Sequence, residues 1–402
     1  MRTPTLKICV AALTACCLGA AAPASAGQLA AASAGQPTPG EVQHWGAYFG
    51  DGLSADSDVT VWPTGLTFPD SSPVIQVGTS NAADYALLAD GTLWAWGQGT
   101  NGELGDGSYA NSFASPVQVQ FPAGVQIAFI ATDAMPYDTA LAVDTSGNAW
   151  GWGLNGHGEL CLGNKTASAL PVQLPLANVT ALAGASGHAV YDSGGTLYSC
   201  GSNWNGVLGA GGGGSSTTPV RVAGLNGQDV VALVSGFGNA GALLADGQYY
   251  DWGYDAAGQL GDGTTGTSSA VPVQVTLPDA SPVTQVAEGG SNKLNGQTLV
   301  MLADGSLYAW GSDTYSQLGD GGTTAEASPV PFFPPAGVTY SALATGGATS
   351  YGIAAGGTVY AWGQGTRGQL GNGTKQSSAV PTQAAASPAS LISSTAYTAV
   401  VN

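Results

Sequence analysis

Residues able to do chemistry are few in this chain and far apart. The three histidines, His44, His157 and His188, stand in separate stretches. No Gly-x-Ser-x-Gly elbow exists to raise an acyl-transfer nucleophile. Asp51, Asp56 and Asp58 form the densest acidic cluster, and Asp106, Asp262 and Asp320 recur in Leu-Gly-Asp-Gly loops. Each such loop offers one carboxylate, whereas calcium takes about six to eight oxygens, so these aspartates read as turn caps. Gly97-Gln98-Gly99-Thr100-Asn101-Gly102 and Gly363-Gln364-Gly365-Thr366-Arg367-Gly368 match a nucleotide fingerprint, but neither opens a helix. No motif marks a pair of carboxylates for glycoside hydrolysis. The expectation is a chain with no cofactor, no metal site and no catalytic residues.

The elements that would position these residues repeat. Trp45-Gly46, Trp96-Gly97, Trp152-Gly153, Cys200-Gly201, Trp252-Gly253, Trp310-Gly311 and Trp362-Gly363 follow one another at intervals of 48 to 58 residues. A period of this size means one supersecondary unit used many times. In residues 73–119 the unit has two apolar runs (Val74 to Val77 and Tyr85 to Ala89), an Asp90-Gly91 hairpin turn, and the alternating run Thr92 to Trp96. A polar loop and an outer strand opening at Pro116 complete it. Four strands per unit in meander order, seven times over, give an all-β, seven-bladed β-propeller of four-stranded antiparallel blades. Glu41–Gly46 carries the last strand of a repeat without its first three, and residues 391–401 carry inner strands without a Trp-Gly strand. The ring is therefore expected to close with both chain ends in one shared blade, which leaves no open edge.

Two cysteines fall where the repeat departs from itself. Cys200 stands in a Trp slot, and Cys161 reads as an extra residue in Gly158-Glu159-Leu160-Cys161-Leu162-Gly163. They form either a disulfide between neighbouring units or two separate buried thiols.

The N-terminus sets the compartment. Arg2 and Lys7 precede an apolar run, Ile8 to Ala22, and Ala24-Ser25-Ala26 gives a small-x-small cleavage pattern. Residues 1–26 are read as an export signal, 27–40 as a flexible lead-in and 41–402 as one propeller domain. A lipid anchor through Cys16 is the rival reading. Removing Arg2 and Lys7 leaves five scattered cations (Lys165, Arg221, Lys293, Arg367, Lys375) against 25 acidic residues. Phosphate recognition needs clustered cations, so nucleic acid is excluded as a partner. No later apolar run is long enough to insert in a membrane.

The sequence pattern of strand, Asp-Gly, Leu-x-x-Trp-Gly, Gly-Gln-Leu-Gly-x-Gly and Pro-Val resembles the regulator of chromosome condensation repeat family over residues 41–402. The resemblance implies a seven-bladed propeller. The exported, acidic character is similar to the exported bacterial branch, of which secreted β-lactamase inhibitors are one kind. This chain differs from those inhibitors in its longer Leu-Gly-Asp-Gly and Pro-Val segments, so their target does not carry over.

The segments that vary between repeats precede the second strand of each unit, and equivalent loops of a propeller converge on one face. Asp84, Tyr85, Tyr137, Asp138, His188, Phe237, Asn292, Lys293, Tyr351 and Tyr397 are the candidate binding residues there, as aromatic anchors in a polar surround. The expected function is a secreted, monomeric, non-catalytic protein that docks an extracellular or envelope protein through that face. An extracellular carbohydrate-active enzyme or lectin and a structural cell-surface module are the alternatives.

Overall fold

The computed structural model describes residues 41–46, 60–69, 71–80, 83–131, 138–185, 187–290, 296–386, 388–394 and 398–401. The expected export signal, the lead-in, the Asp51–Asp58 cluster, Tyr137, Asn292, Lys293 and Tyr397 lie outside them.

Six four-stranded antiparallel sheets are each built from consecutive strands: sheet I spans residues 74–118, II 127–173, III 179–221, IV 230–274, V 283–331 and VI 340–383. A further four-stranded sheet takes Ile392–Ser394 and Thr398–Val401 from one chain end and Glu41–Gly46 and Thr60–Thr67 from the other. Trp45 there faces Ala399 in register. The segment Glu41–Gly46 is third in this sheet, not last, because Thr60–Thr67 supplies the outer strand. First strands of successive sheets touch one another, except that the second strand of sheet II meets the first strand of sheet III, and the first strand of sheet I touches the C-terminal strands. The architecture is an all-β propeller.

Local sequence explains the strands. In sheet I, Gly91 has φ +83°, a conformation that costs glycine nothing, and its N–H donates to the Leu88 carbonyl at 2.9 Å. The Asp90 carboxylate accepts the Thr92 N–H at 2.9 Å and fixes the same turn.

Between sheets, one contact recurs. The fully buried Trp152, Trp252, Trp310 and Trp362 each donate an indole N–H to a carbonyl in the loop of the preceding sheet: Glu103 (2.8 Å), Val207 (2.8 Å), Gln259 (2.9 Å) and Gln317 (3.0 Å). Trp45 closes the circuit by donating to Gln369 at 2.6 Å across 324 residues of sequence. Each indole also lies where a glycine two residues beyond that carbonyl has no side chain. An added Cβ on Gly105, Gly209, Gly261, Gly319 or Gly371 would come within 2.7–2.8 Å of an indole nitrogen. Replacing Trp310 by Phe deletes one donor and strands the buried Gln259 carbonyl. Urea unfolding should then show a loss of about 1–3 kcal/mol.

Sheet III lacks this Trp, and a disulfide takes its place. Cys161 and Cys200 are bonded, with Cα atoms 5.6 Å apart. Cys161 is not an extra residue, because its loop has the length of the others. It occupies the glycine slot, nine residues after Trp152 as Gly105 is nine after Trp96. It even keeps the glycine conformation, φ +58°. Cys200 Sγ sits 3.4 Å from the Glu159 carbonyl oxygen, the position that an indole N–H reaches elsewhere. The Gly–Trp contact shown at five other interfaces has been exchanged here as a pair for Cys–Cys.

Candidate binding face

Loops joining first to second strands and third to fourth strands emerge at the same end of the sheets, because the four strands alternate in direction. This end carries an aromatic cluster at sheets III and IV. Trp204, in a short 3₁₀ turn (Trp204–Gly206), is 41% exposed. It stacks on Tyr254, with centroids 4.9 Å apart and planes at 25°. Phe237 meets it edge-on at 5.7 Å and 80°. Phe237 and Tyr254 are half-buried. Gly238 makes room for the indole, since a Cβ there would lie 2.8 Å from its Cζ3. The three rings thus form one packed aromatic cluster at this end.

Of the residues expected on this face, Phe237 is in the cluster and Asp138 is half-buried at the boundary of sheets I and II. Asn101 donates to Asp138 Oδ2 and to Glu103 Oε1, each at 3.1 Å. Burial, with the Glu103 charge beside it, lifts the Asp138 carboxyl to about 7. Asp84, Tyr85, His188 and Tyr351 are buried, which corrects the expectation that they meet solvent. Each has internal work. Tyr85 and Tyr351 donate their hydroxyls to the Glu103 (2.8 Å) and Gln369 (2.9 Å) carbonyls, the same ones that accept indole N–H groups. His188 Nε2 pairs with the Ser235 hydroxyl at 2.7 Å, and burial pushes its imidazole down to about 3. These side chains support the face from beneath. The reason is register: they sit on second strands, whose two sides both pack against neighbouring strands or sheets.

Trp204 and Tyr254 lie outside the segments singled out from sequence, which precede each second strand. The signal was present in the other loop. Four residues after Cys200 the repeat places Trp204, where Thr100, Gly156, Ala256, Thr314 and Thr366 stand in five other copies and Phe49 in the sixth. A large ring where five other copies carry a small residue is a stronger surface signal than a tyrosine at a strand start.

Comparison with known proteins agrees with this architecture. The family model for the Regulator of chromosome condensation (RCC1) repeat matches residues 90–132, 194–243, 246–292, 304–350 and 356–396. The chain belongs to this family. Its RCC1-type repeats resemble those of the ultraviolet-B receptor UVR8 of Arabidopsis thaliana, 28% identical over 316 residues, 77% of this chain and 70% of the receptor. They also resemble the human E3 ubiquitin-protein ligase HERC2, 29% identical over 296 residues, 72% of this chain but 6% of the ligase. Among solved structures, Prp20p of Saccharomyces cerevisiae superposes with a TM-score of 0.76 at 22% identity, covering 91% of this chain and 92% of Prp20p. Human WBSCR16 superposes at 0.74 and 18% identity, covering 90% and 98%. Prp20p is described with binding to Gsp1p and histones and in complex with Kap60. These superpositions carry the fold alone.

Proposed function

We propose that this RCC1-repeat chain is a secreted, monomeric, non-catalytic binding protein, that its composite sheet is the seventh blade of a closed ring, and that it docks an extracellular or envelope protein through the loop face. The exposed Trp204, stacked on Tyr254 and flanked by Phe237, carries the reading. Rigid aromatic anchors with a polar rim are what interface hot spots are made of, and ordering them in the free protein reduces the entropy lost on binding. Export is supported by the Cys161–Cys200 disulfide, a bond that persists in oxidising compartments, and by the N-terminal pattern of Arg2, Lys7 and Ala24-Ser25-Ala26. The non-catalytic reading is in keeping with the burial of Asp251 and Glu288 inside the propeller.

The test is affinity capture from medium and envelope fractions, with the exported protein and its Trp204→Ala/Phe237→Ala/Tyr254→Ala variant as baits. A partner should bind the unaltered protein at least ~10-fold more tightly, a loss of about 1.4 kcal/mol or more for the variant. The melting temperatures of the two should agree, because the cluster is at the surface. Equal capture by both baits would move the binding site elsewhere. Glycan binding without a protein partner would replace this reading with a lectin.

A further inference from the structure

The turn that presents Phe237, residues 236–239, rests on residues that depart from the repeat together. Glu288, on the first strand of sheet V, stands by register where Thr79, Gly184, Ser235, Thr345 and Ser394 stand in other sheets. Asp251 stands one residue before the repeat's Trp or Cys, where Ala95, Gly151, Ser199, Ala309 and Ala361 stand in five copies and His44 in the sixth. Tyr249 takes the place of the aliphatic Val42, Leu93, Ala149, Leu197, Leu307 and Val359. Gly241 makes room for it, because a Cβ there would overlap the Tyr249 hydroxyl. The result is two carboxyls and a phenol packed together, all buried.

This pair holds the turn at both ends. Glu288 Oε1 accepts the Gly236 N–H at 2.9 Å, and Asn239 Nδ2 donates to Asp251 Oδ1 at 3.4 Å. Gly236 is seated so closely that a Cβ would lie 2.7 Å from Asn239 Oδ1, 2.8 Å from the Gly289 carbonyl oxygen and 2.9 Å from Glu288 Oε1. The same turn carries the rings. Phe237 belongs to it, the Trp204 indole lies against Gly238, and the Gly238 carbonyl accepts the Tyr254 N–H at 2.9 Å. A displaced turn therefore displaces all three rings.

Hydrogen-bond counting fixes the protonation. The Tyr249 oxygen lies 3.4 Å from Asp251 Oδ2 and 3.3 Å from Glu288 Oε2. A phenol has one proton to give. With both carboxyls ionised, one carboxylate oxygen would face the phenol oxygen with no proton between them. One proton on the pair resolves this: one carboxyl donates to the phenol, and the phenol donates to the other. Burial lifts Glu288 in the same sense, to about 8. The other titratable group on this side is His188 of sheet III. Its Nε2 meets the Ser235 hydroxyl at 2.7 Å, and that hydroxyl donates to the Asn239 carbonyl at 3.2 Å. The imidazole, pushed down by burial to about 3, is uncharged at neutral pH. Among the described residues no Lys or Arg acts on either carboxyl. A second buried charge is relieved by water, and the turn, with Phe237 half-exposed, is the surface-reaching segment bonded to both carboxyls.

We propose that Asp251 and Glu288 form a pH-sensitive latch on the aromatic cluster, closed on the 236–239 turn while one proton is shared and released when that proton leaves. The latch rests on the reading of the cluster as the binding face and adds its regulation: the face is set at acid and neutral pH and loosens in alkaline medium. The sign follows from linkage. Opening the turn returns the carboxyls to water and to their ordinary acidity, so the closed form is favoured in full below pH 4.5 and loses ground as pH rises toward 8.

The test is hydrogen exchange read by mass spectrometry on the whole protein, with rates corrected for the intrinsic pH dependence of exchange. Protection of a peptide covering residues 236–239 should fall at least ~10-fold between pH 6 and pH 8, since one proton changes an opening constant up to about tenfold per pH unit. The matching turn of sheet VI, residues 346–349, closes with the Gly346 N–H on the Thr349 carbonyl at 2.7 Å and has Thr345 in place of the carboxyl. Its protection should not change. Glu288→Gln and Asp251→Asn should each abolish the fall. No fall at 236–239, an equal fall in both turns, or a fall that survives in both variants would overturn the proposal. The comparison of the two turns in the unaltered protein decides it even where a variant does not fold. No partner enters the measurement, so a flat result leaves the docking reading standing, and an empty affinity capture leaves the latch standing.

Discussion

Replacing Cys161 and Cys200 by serine is expected to lower stability by about 4 kcal/mol, from the chain entropy released when a bridge across 39 residues is opened. The more telling variant is the reciprocal one. Cys161→Gly with Cys200→Trp installs the pair found at five other interfaces, an indole over a glycine with a carbonyl, here that of Glu159, ready to accept it. Glycine also relieves the left-handed backbone at position 161, worth about 1 kcal/mol. The swap should therefore recover at least half of the loss measured for the serine pair, in urea unfolding without reductant. It should also make stability indifferent to dithiothreitol. A swap no more stable than the serine pair would mean that the disulfide is an isolated staple and not a substitute for the Trp contact.

The second large effect is a pH dependence set by Asp251 and Glu288. Both are buried between sheets IV and V, beside the Tyr249 hydroxyl, which lies 3.4 Å from Asp251 Oδ2 and 3.3 Å from Glu288 Oε2. Glu288 Oε1 accepts the Gly236 N–H at 2.9 Å. Burial lifts Glu288 from 4.5 to about 8, and burial with the Glu288 charge raises Asp251 well above its usual range. The folded state thus holds protons that the unfolded chain releases. The Glu288 contribution is complete below pH 4.5 and is lost as pH rises toward 8, with about 1.4 kcal/mol going for each pH unit climbed, and Asp251, raised from 3.8, acts in the same direction. Asp255 at about 6 and Asp138 and Asp313 at about 7 act in the same direction. His188 opposes them at the acid end. Its depressed imidazole, about 3, means stability falls as pH drops below 6.5. Glu288→Gln keeps an acceptor for Gly236 and removes the titration. Compared with the unaltered protein, it should be more stable at pH 8 by a few kcal/mol, with the gap closing toward pH 5. Parallel stability profiles for the two proteins would show that the pair does not titrate in this window.

Much of the fold was legible because a repeat states its own rules many times. The Trp-Gly pairs, the Asp-Gly turns and the Pro-Val openings place strands and their order through local chemistry alone. The merging of both chain ends in one sheet could likewise be read from which strands each end lacked. The binding face was less legible. Tyr85 and Tyr351 differ between repeats as surface residues do, yet their hydroxyls reach carbonyls inside the propeller. Variation in sequence marks where repeats differ and does not say whether the difference faces solvent.

The sequence by itself determined the all-β repeat architecture and the two deviant cysteines, because period and turn chemistry act within a few residues. Only the tertiary structure decided that Cys161 fills a glycine slot opposite a Trp slot, that Trp204, Phe237 and Tyr254 make one cluster, and that Asp251 meets Glu288. Each of these is a juxtaposition of side chains whose partners lie on different strands, loops or sheets. Burial and distance, which set hydrogen bonds and the charge on a carboxyl, arise only when the chain has packed.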